Sequence, residues 1–260
     1  MKEMEKMTIK KIETLFLQGK ITKEIIEFCR QDSRKSIQTI LRRYERSERE
    51  RERLHTLYTY ERAANRRGRG IVAGVDEAGR GSLAGPVTVA AVVLPPECYL
   101  PRLNDSKKLS PSVREELYVQ ITERAVSYHI ILIDAETIDH FNILQATRRG
   151  MYEAIAALSP IPEEVLIDAV TLPKLPMPSQ SIIKGDAKSA SIAAASILAK
   201  VTRDRLMIQY GTEYPHYGFA QHKGYGTHEH IEAIKKYGVC PLHRKSFEPI
   251  RSMLGYRNHR

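Results

Sequence analysis

The chain has 260 residues, 42% of them hydrophobic and 28% charged, with a formal net charge of +10. That length suffices for one good-sized core plus a small appended unit, and its longest apolar run, Val87 to Leu94, is far too short to cross a bilayer. Three scattered cysteines, Cys29, Cys98 and Cys240, supply neither a disulfide framework nor a Cys-x-x-Cys metal centre, so a soluble, cytoplasmic protein is expected.

Residues 1 to about 70 read as helical. Ile9, Ile12, Leu15 and Phe16 stand at helical spacing, Gly19 breaks the pattern, and a second short helix passes through Ile25, Ile26 and Cys29. Ser33 or Ser36 is placed to cap a third, which continues from Ile37 to about Ala64 on opposite charges three and four residues apart. Asn65-Arg-Arg-Gly-Arg-Gly70 then reads as a linker, giving a basic helical extension over 1–70 and a second domain over 71–260. The extension holds 19 basic against 11 acidic side chains and the remainder 22 against 20, so +8 of the +10 lies in front. A basic arm on a nearly neutral body suits a polyanion such as nucleic acid; a solvated helix that only keeps the chain soluble has the same composition.

Beyond the linker, strands and helices mix. Ile71 to Asp76 and Val87 to Leu94 read as strands joined by a short Gly-rich turn, which predicts an antiparallel start. Asn104 to Ser110 is a polar loop, and Ser110-Pro111 starts a helix over Val113 to Ala125. A strand over Tyr128 to Ile133, one long helix from about Thr137 to Leu158, strands over Glu164 to Asp168 and Ser181 to Lys184, and an Ala-rich helix over Ser189 to about Tyr210 follow. Past Glu213 only His228 to Tyr237 reads as a helix. The order predicts an α/β fold, a mixed β-sheet flanked by helices.

Chemistry concentrates at Ile71 to Pro86, where an apolar strand runs into Asp76 and Glu77 and then into Gly79-Arg80-Gly81. Adjacent carboxylates repel one another unless a cation or proton intervenes, and hard oxygen donors without Cys or His favour Mg²⁺ or Mn²⁺. The glycines allow backbone N–H and C=O groups to approach a sugar or phosphate; an ordinary strand-to-turn junction reads the same way. Asp168 ends one strand and Asp186 precedes the Ala-rich helix. Gathered with Asp76 and Glu77, they could hold two divalent ions about 4 Å apart that clamp a phosphodiester. Singly, Asp168 could be a turn residue and Asp186 a helix N-cap. Lys107, Lys108, Lys184 and Lys188 lie beside these acids as candidates for phosphate contact. His216, His222, His228 and His230 share no metal-binding scaffold and read as surface histidines. Each cysteine is expected to serve packing alone.

The stretch Val75-Asp-Glu-Ala-Gly-Arg-Gly81 with Gly85-Pro86, followed by Asp105-Ser-Lys-Lys-Leu109, Asp168-Ala169, Lys184-Gly-Asp186, Ser191 to Arg205 and His222-Lys-Gly-Tyr-Gly-Thr227, resembles in order the motifs of bacterial ribonuclease HII, a type 2 ribonuclease H. The resemblance covers residues 71 to about 250. It implies an RNase H-like fold and a metal-dependent endonuclease, using Mn²⁺ or Mg²⁺, that cuts the RNA strand of RNA/DNA hybrids and the 5′ side of single ribonucleotides embedded in duplex DNA. The ends left are 3′-hydroxyl and 5′-phosphate, and the cellular role implied is removal of ribonucleotides from DNA. By position, Asp76, Glu77, Asp168 and Asp186 resemble the catalytic, metal-binding quartet. Gly79, Arg80 and Gly81 resemble the 2′-hydroxyl sensor, the group that separates RNA from DNA. Tyr225 resembles the tyrosine that packs on the sugar following the ribonucleotide, and Lys107 is a candidate substrate contact. A monomer is expected. The extension over 1–70 departs from the family's shortest members. Ribonuclease HIII, the nearest rival, is expected to lack the Gly-Arg-Gly and tyrosine pair; a binding module without catalysis would be marked by loss of an acid, and all four are present.

Overall fold

The computed structural model describes residues 7–255, which divide into two compact units, one ending at His55 and the other beginning at Thr56. In the first unit, helices α1 (Ile9–Leu17) and α2 (Lys23–Gln31) start at Thr8 and Thr22, whose side chains accept N–H bonds from the first turn. With the start of α3 (Lys35–Leu57), they close a small core of Ile12, Cys29, Ile37 and Leu41.

The second unit opens with α4 (Thr59–Arg66) and is built on a sheet of five strands: β1 (Val72–Ala78), β2 (Val87–Val93), β3 (Ser127–Ile133), β4 (Glu164–Asp168) and β5 (Ser179–Ile182). They lie in the order β3-β2-β1-β4-β5, with β1–β2 and β2–β3 antiparallel and β1–β4 and β4–β5 parallel, so the sheet is mixed and its start antiparallel as expected. Alternation gives the central strands two apolar faces. Ala73 and Val75 join Val89, Ala91, Val93, Val165 and Ile167 against Met151, Ala154 and Ile155 of α7 (Ile143–Ala156). On the other face Val72 and Leu166 meet Ile192 of α8 (Ala190–Glu213), together with Ala64 of α4. Gly74 lets α8 approach, because a Cβ there would collide with the Ser191 backbone.

Helix α4 is fixed by polar bonds as well. Glu61 accepts from the Ser189 hydroxyl at 2.6 Å and the Ser191 N–H at 2.9 Å at the start of α8, while Arg67 and Arg69 pair with the buried Glu164 at 2.7 and 2.8 Å. Burial works against the Glu164 carboxylate, yet the two arginines hold its pKa below the usual range.

Four expected boundaries change. The helix expected from Ile37 to about Ala64 is two, α3 and α4, which part at Tyr58. The long helix expected over 137–158 is two, α6 (Ala135–Phe141) and α7, because Asn142 adopts a positive φ of 65° and its side chain caps the Leu144 and Gln145 N–H groups. The strand expected over 181–184 is β5, two residues earlier; Ile183 is 73% exposed and Lys184, at φ 57°, turns the chain away. Past Glu213, α10 (His228–Tyr237) follows the prediction, while the short helices α9 (Phe219–His222) and α11 (Ile250–Met253) were not expected. Helix α5 (Pro111–Arg124) begins, as predicted, on the Ser110 cap.

Candidate active site

Asp76 and Asp168 come together because β1 and β4 are parallel neighbours. Val75 stands opposite Ile167, so the next residue of each strand is a carboxylate, and alternation turns both toward the α8 face. Asp76 is 4% exposed; its Oδ1 accepts the Glu77 N–H at 2.7 Å, and Ser196 of α8 bonds to it as well. Asp168 Oδ1 accepts the Gly185 N–H at 2.6 Å, which carries the neighbouring Asp186 to the same sheet end. Gly185 permits the approach, since a Cβ there would press on Ile192 and Asp168. Asp186 does not cap α8: Ser189 does, accepting from the Ile192 N–H at 3.2 Å. Its side chain is buried and bonds instead to Asp105.

Burial and mutual repulsion dominate the electrostatics. The Asp76 carboxyl is held well above the ordinary range by burial and then by Glu77 and Asp168. Burial also raises Glu77, against the opposing Arg80 guanidinium, whose Nη1 lies 3.2 Å from Glu77 Oε1. Asp186 is raised by burial, then by Asp105 and Asp168. Lys107, carried by the short turn after Asp105, brings its Nζ to 3.9 Å from Asp186 Oδ2 with its side chain 80% exposed. Partial burial opposes its charge, yet Asp186, Asp76, Asp105 and Asp168 together raise its pKa. Lys108, Lys184 and Lys188 are exposed. Among the described residues no three His, Cys, Asp or Glu side chains are close enough to hold an ion as they stand. The donor set nevertheless fits a hard divalent cation, being all carboxylate oxygen, and Glu77 Oε2 is buried with no partner.

Gly79-Arg80-Gly81 follows β1 directly, but its backbone is less open than the sequence suggests. Arg244 donates to the carbonyls of Gly79 at 2.7 Å, Arg80 at 2.8 Å and Gly85 at 2.9 Å, so these oxygens are engaged inside the protein. A second buried arginine, Arg203 of α8, donates to Ala84, Pro86 and Lys223 carbonyls at 3.0, 2.9 and 2.9 Å. Burial pulls both guanidinium groups below their usual range. Of the three residues, Gly81 is the one with open space where a side chain would stand. Tyr225 is partly exposed, with its ring over the Arg203 guanidinium carbon at 5.6 Å and Lys200 Nζ at 5.9 Å.

Sequence reasoning left Arg203, Arg244, Asp105 and Ser196 without a role. Arg203 sits in an α8 segment that otherwise reads as a charged helix end, and only packing distinguishes it from its exposed neighbour Arg205. The surface reading holds for His216 and His228, whereas His222 is half-buried and His230 is fully buried against His243.

Among known proteins, the sequence profile described as Ribonuclease HII matches residues 73–250, and that of the Ribonuclease HII N-terminal domain matches residues 8–65. The chain belongs to the ribonuclease HII family. It is 51% identical over 261 residues to a ribonuclease HII of Geobacillus thermodenitrificans strain NG80-2, covering 98% of this chain and 100% of that protein. It is also 49% identical over 257 residues to one from Bacillus cereus strain AH820, covering 96% and 99%. The crystal structure of the ribonuclease H2 from Pyrococcus horikoshii OT3 superimposes with a TM-score of 0.59 at 29% identity, over 70% of this chain and 96% of that one. The mixed sheet is therefore RNase H-like, and the chain is a ribonuclease H-type endonuclease, a hydrolase acting on RNA/DNA hybrids. Among the described residues no helix is long and apolar enough to cross a membrane.

Proposed function

We propose that this ribonuclease HII family member removes ribonucleotides from DNA, hydrolysing the phosphodiester on the 5′ side of a ribonucleotide embedded in a duplex and leaving 3′-hydroxyl and 5′-phosphate ends. The observation that carries the reading is the placement of Asp76 and Asp168 one residue past the paired Val75 and Ile167 of β1 and β4, with Asp186 tied to Asp168 through the Gly185 N–H. Asp76, Glu77, Asp168 and Asp186 would hold Mn²⁺ or Mg²⁺, two ions in the full arrangement, which when bound would neutralise phosphate charge and make a water more acidic. The four carboxylates themselves fix where the scissile phosphate rests, and they must lose their protons to do so. Lys107 contacts the incoming phosphate from its exposed turn, exchanging carboxylate partners for a phosphate oxygen. Gly81 and its flanking N–H groups meet the 2′-hydroxyl, with Arg244 keeping the neighbouring carbonyls turned inward. The Tyr225 ring packs on the sugar after the ribonucleotide and marks the ribo-to-deoxy junction. The basic N-terminal extension adds sequence-independent affinity for the duplex, supported by its charge excess.

The test uses two labelled duplexes, one with a lone ribonucleotide and one with a continuous RNA strand, each incubated with and without Mn²⁺ or Mg²⁺. Incision 5′ of the lone ribonucleotide, dependent on the ion, is expected. Cleavage confined to the continuous hybrid would overturn the embedded-ribonucleotide reading, and undiminished cleavage in a chelator would overturn the metal assignment.

A further inference from the structure

Two buried histidines outside the acidic cluster form a directed chain of hydrogen bonds that ends on the backbone of Tyr225. His243 Nδ1 lies 2.9 Å from the Cys240 N–H and 3.3 Å from the Cys240 carbonyl; the shorter contact, in which the N–H donates, assigns that nitrogen the acceptor role and leaves it without a proton, since otherwise two N–H groups would face one another. The His243 proton is then on Nε2, which lies 3.1 Å from His230 Nε2 and donates to it. His230 in turn keeps its proton on Nδ1, 2.9 Å from the Tyr225 carbonyl. Each bond fixes the tautomer required by the next. Burial lowers both imidazoles to about 4, which keeps the pair neutral at neutral pH. His222, stacked on His230 with centroids 4.5 Å apart, is fixed independently: its Nδ1 accepts the Gly224 N–H at 3.1 Å and its Nε2 lies 2.6 Å from the Tyr217 carbonyl.

The residue after His243 is Arg244, whose guanidinium holds the Gly79, Arg80 and Gly85 carbonyls. Adjacent side chains of one segment thus reach the two loops that face the substrate, His243 through His230 to Tyr225 and Arg244 to Gly79-Arg80-Gly81. The segment itself is bonded to the first loop's return limb: Gly85 N–H to the Leu242 carbonyl at 2.8 Å, and Arg244 N–H to the Leu83 carbonyl at 2.9 Å. Leu83 N–H, bonded to the Gly224 carbonyl at 2.8 Å, closes the ring of contacts.

We propose that residues Cys240 to Arg244 act as a clamp that sets the distance between the 2′-hydroxyl-sensing backbone and the Tyr225 ring, with His243 and His230 as positioning residues for recognition of the ribo-to-deoxy junction. The inference rests on the reading of Tyr225 as the junction contact. A clamp of this kind matters because junction recognition compares two adjacent sugars, and small displacement of one reader relative to the other weakens discrimination more than bulk affinity.

His243→Asn retains an oxygen acceptor for the Cys240 N–H but cannot reach His230, whereas His243→Gln places an amide N–H near the position of Nε2. The expected result for His243→Asn is a fall of about tenfold in the ratio of kcat/KM for the lone-ribonucleotide duplex over that for the continuous hybrid, partial recovery in His243→Gln, and no further fall when Asn is added to Tyr225→Ala. In the unaltered full-length protein, two-bond ¹H–¹⁵N correlation spectra should show one buried histidine protonated on Nδ1 and its partner on Nε2, a readout that needs no variant to fold. If Tyr225→Ala leaves the ratio unchanged, the underlying junction reading fails. Should Tyr225→Ala lower the ratio while folded His243→Asn does not, or should the spectra show both histidines in the same tautomer, the clamp is wrong.

Discussion

Arg203 fills the space that a side chain at residue 79 would need: a Cβ on Gly79, where φ is +89°, would collide with the guanidinium that binds Ala84, Pro86 and Lys223. Gly79 and Gly81, two residues apart in one motif, therefore do different work. Gly79→Ala should cost roughly 2–5 kcal/mol, from backbone strain plus displacement of a buried, fully bonded arginine. Gly81→Ala should change stability by no more than about 0.5 kcal/mol, yet lower cleavage about tenfold or more because its methyl group would enter the open space proposed here for the sugar. Denaturant titration and single-turnover cleavage of both variants check the contrast.

The acidic cluster is held together against its own repulsion, which predicts a trade between stability and activity. Asp76→Asn should raise Tm by a few degrees at neutral pH without divalent ions, since it replaces a carboxyl whose ionisation is opposed by burial and then by Glu77 and Asp168. Cleavage should fall on the order of 10³-fold or more. Calorimetry in chelator beside an activity assay reads both effects; a lower Tm would show that the Asp76 charge stabilises the fold.

Stability should depend on pH through two opposing sets of groups. His230 and His243 have folded-state pKa values of about 4 against an ordinary 6.5, so the unfolded chain binds more protons between those limits and their contribution is lost as pH falls from about 6.5 toward 4. Asp76, Glu77 and Asp186 are raised, so they favour the folded state as pH falls through the range just above ordinary carboxylate values. Melting temperatures of the wild type and His243→Asn across pH 4 to 7 isolate the His243 part, of the order of a few kcal/mol at most. The variant should show the shallower decline on acidification.

Where the chain is cut should decide whether the catalytic unit survives. Deletion of residues 1–55 leaves α4 in place and should preserve a single cooperative transition. Deletion of 1–70 removes Arg67 and Arg69 from the buried Glu164, and Glu61 from the start of α8. The uncompensated Glu164 carboxylate alone should cost about 3–5 kcal/mol. Thermal melts of the two truncations test this. The first should also bind duplex with a shallower dependence on salt if the extension contacts phosphates.

Much of this protein was legible in the order of its residues. The strand ending in Asp76 and Glu77, the Ser110-Pro111 helix start, the Ala-rich helix and the mixed sheet all follow from short-range pattern, because alternation, helical spacing and capping act within a few residues. Asp76, Glu77, Asp168 and Asp186 were nameable as candidates because each stands at the end of an element or in a turn, but singly each also read as an ordinary junction, turn or cap residue, and it was the resemblance in motif order that joined them. What only the tertiary structure decided was which bland alternatives to discard and which distant groups meet. Asp186 is no cap because Ser189 takes that place; Asp76 and Asp168 are neighbours because β1 and β4 pair in parallel. Arg203, Arg244, His230 and His243 look like surface residues in the linear text and lie buried in the fold. Their burial is possible because backbone carbonyls or neighbouring ring nitrogens, most of them remote along the chain, meet their donors, a match that no local pattern encodes.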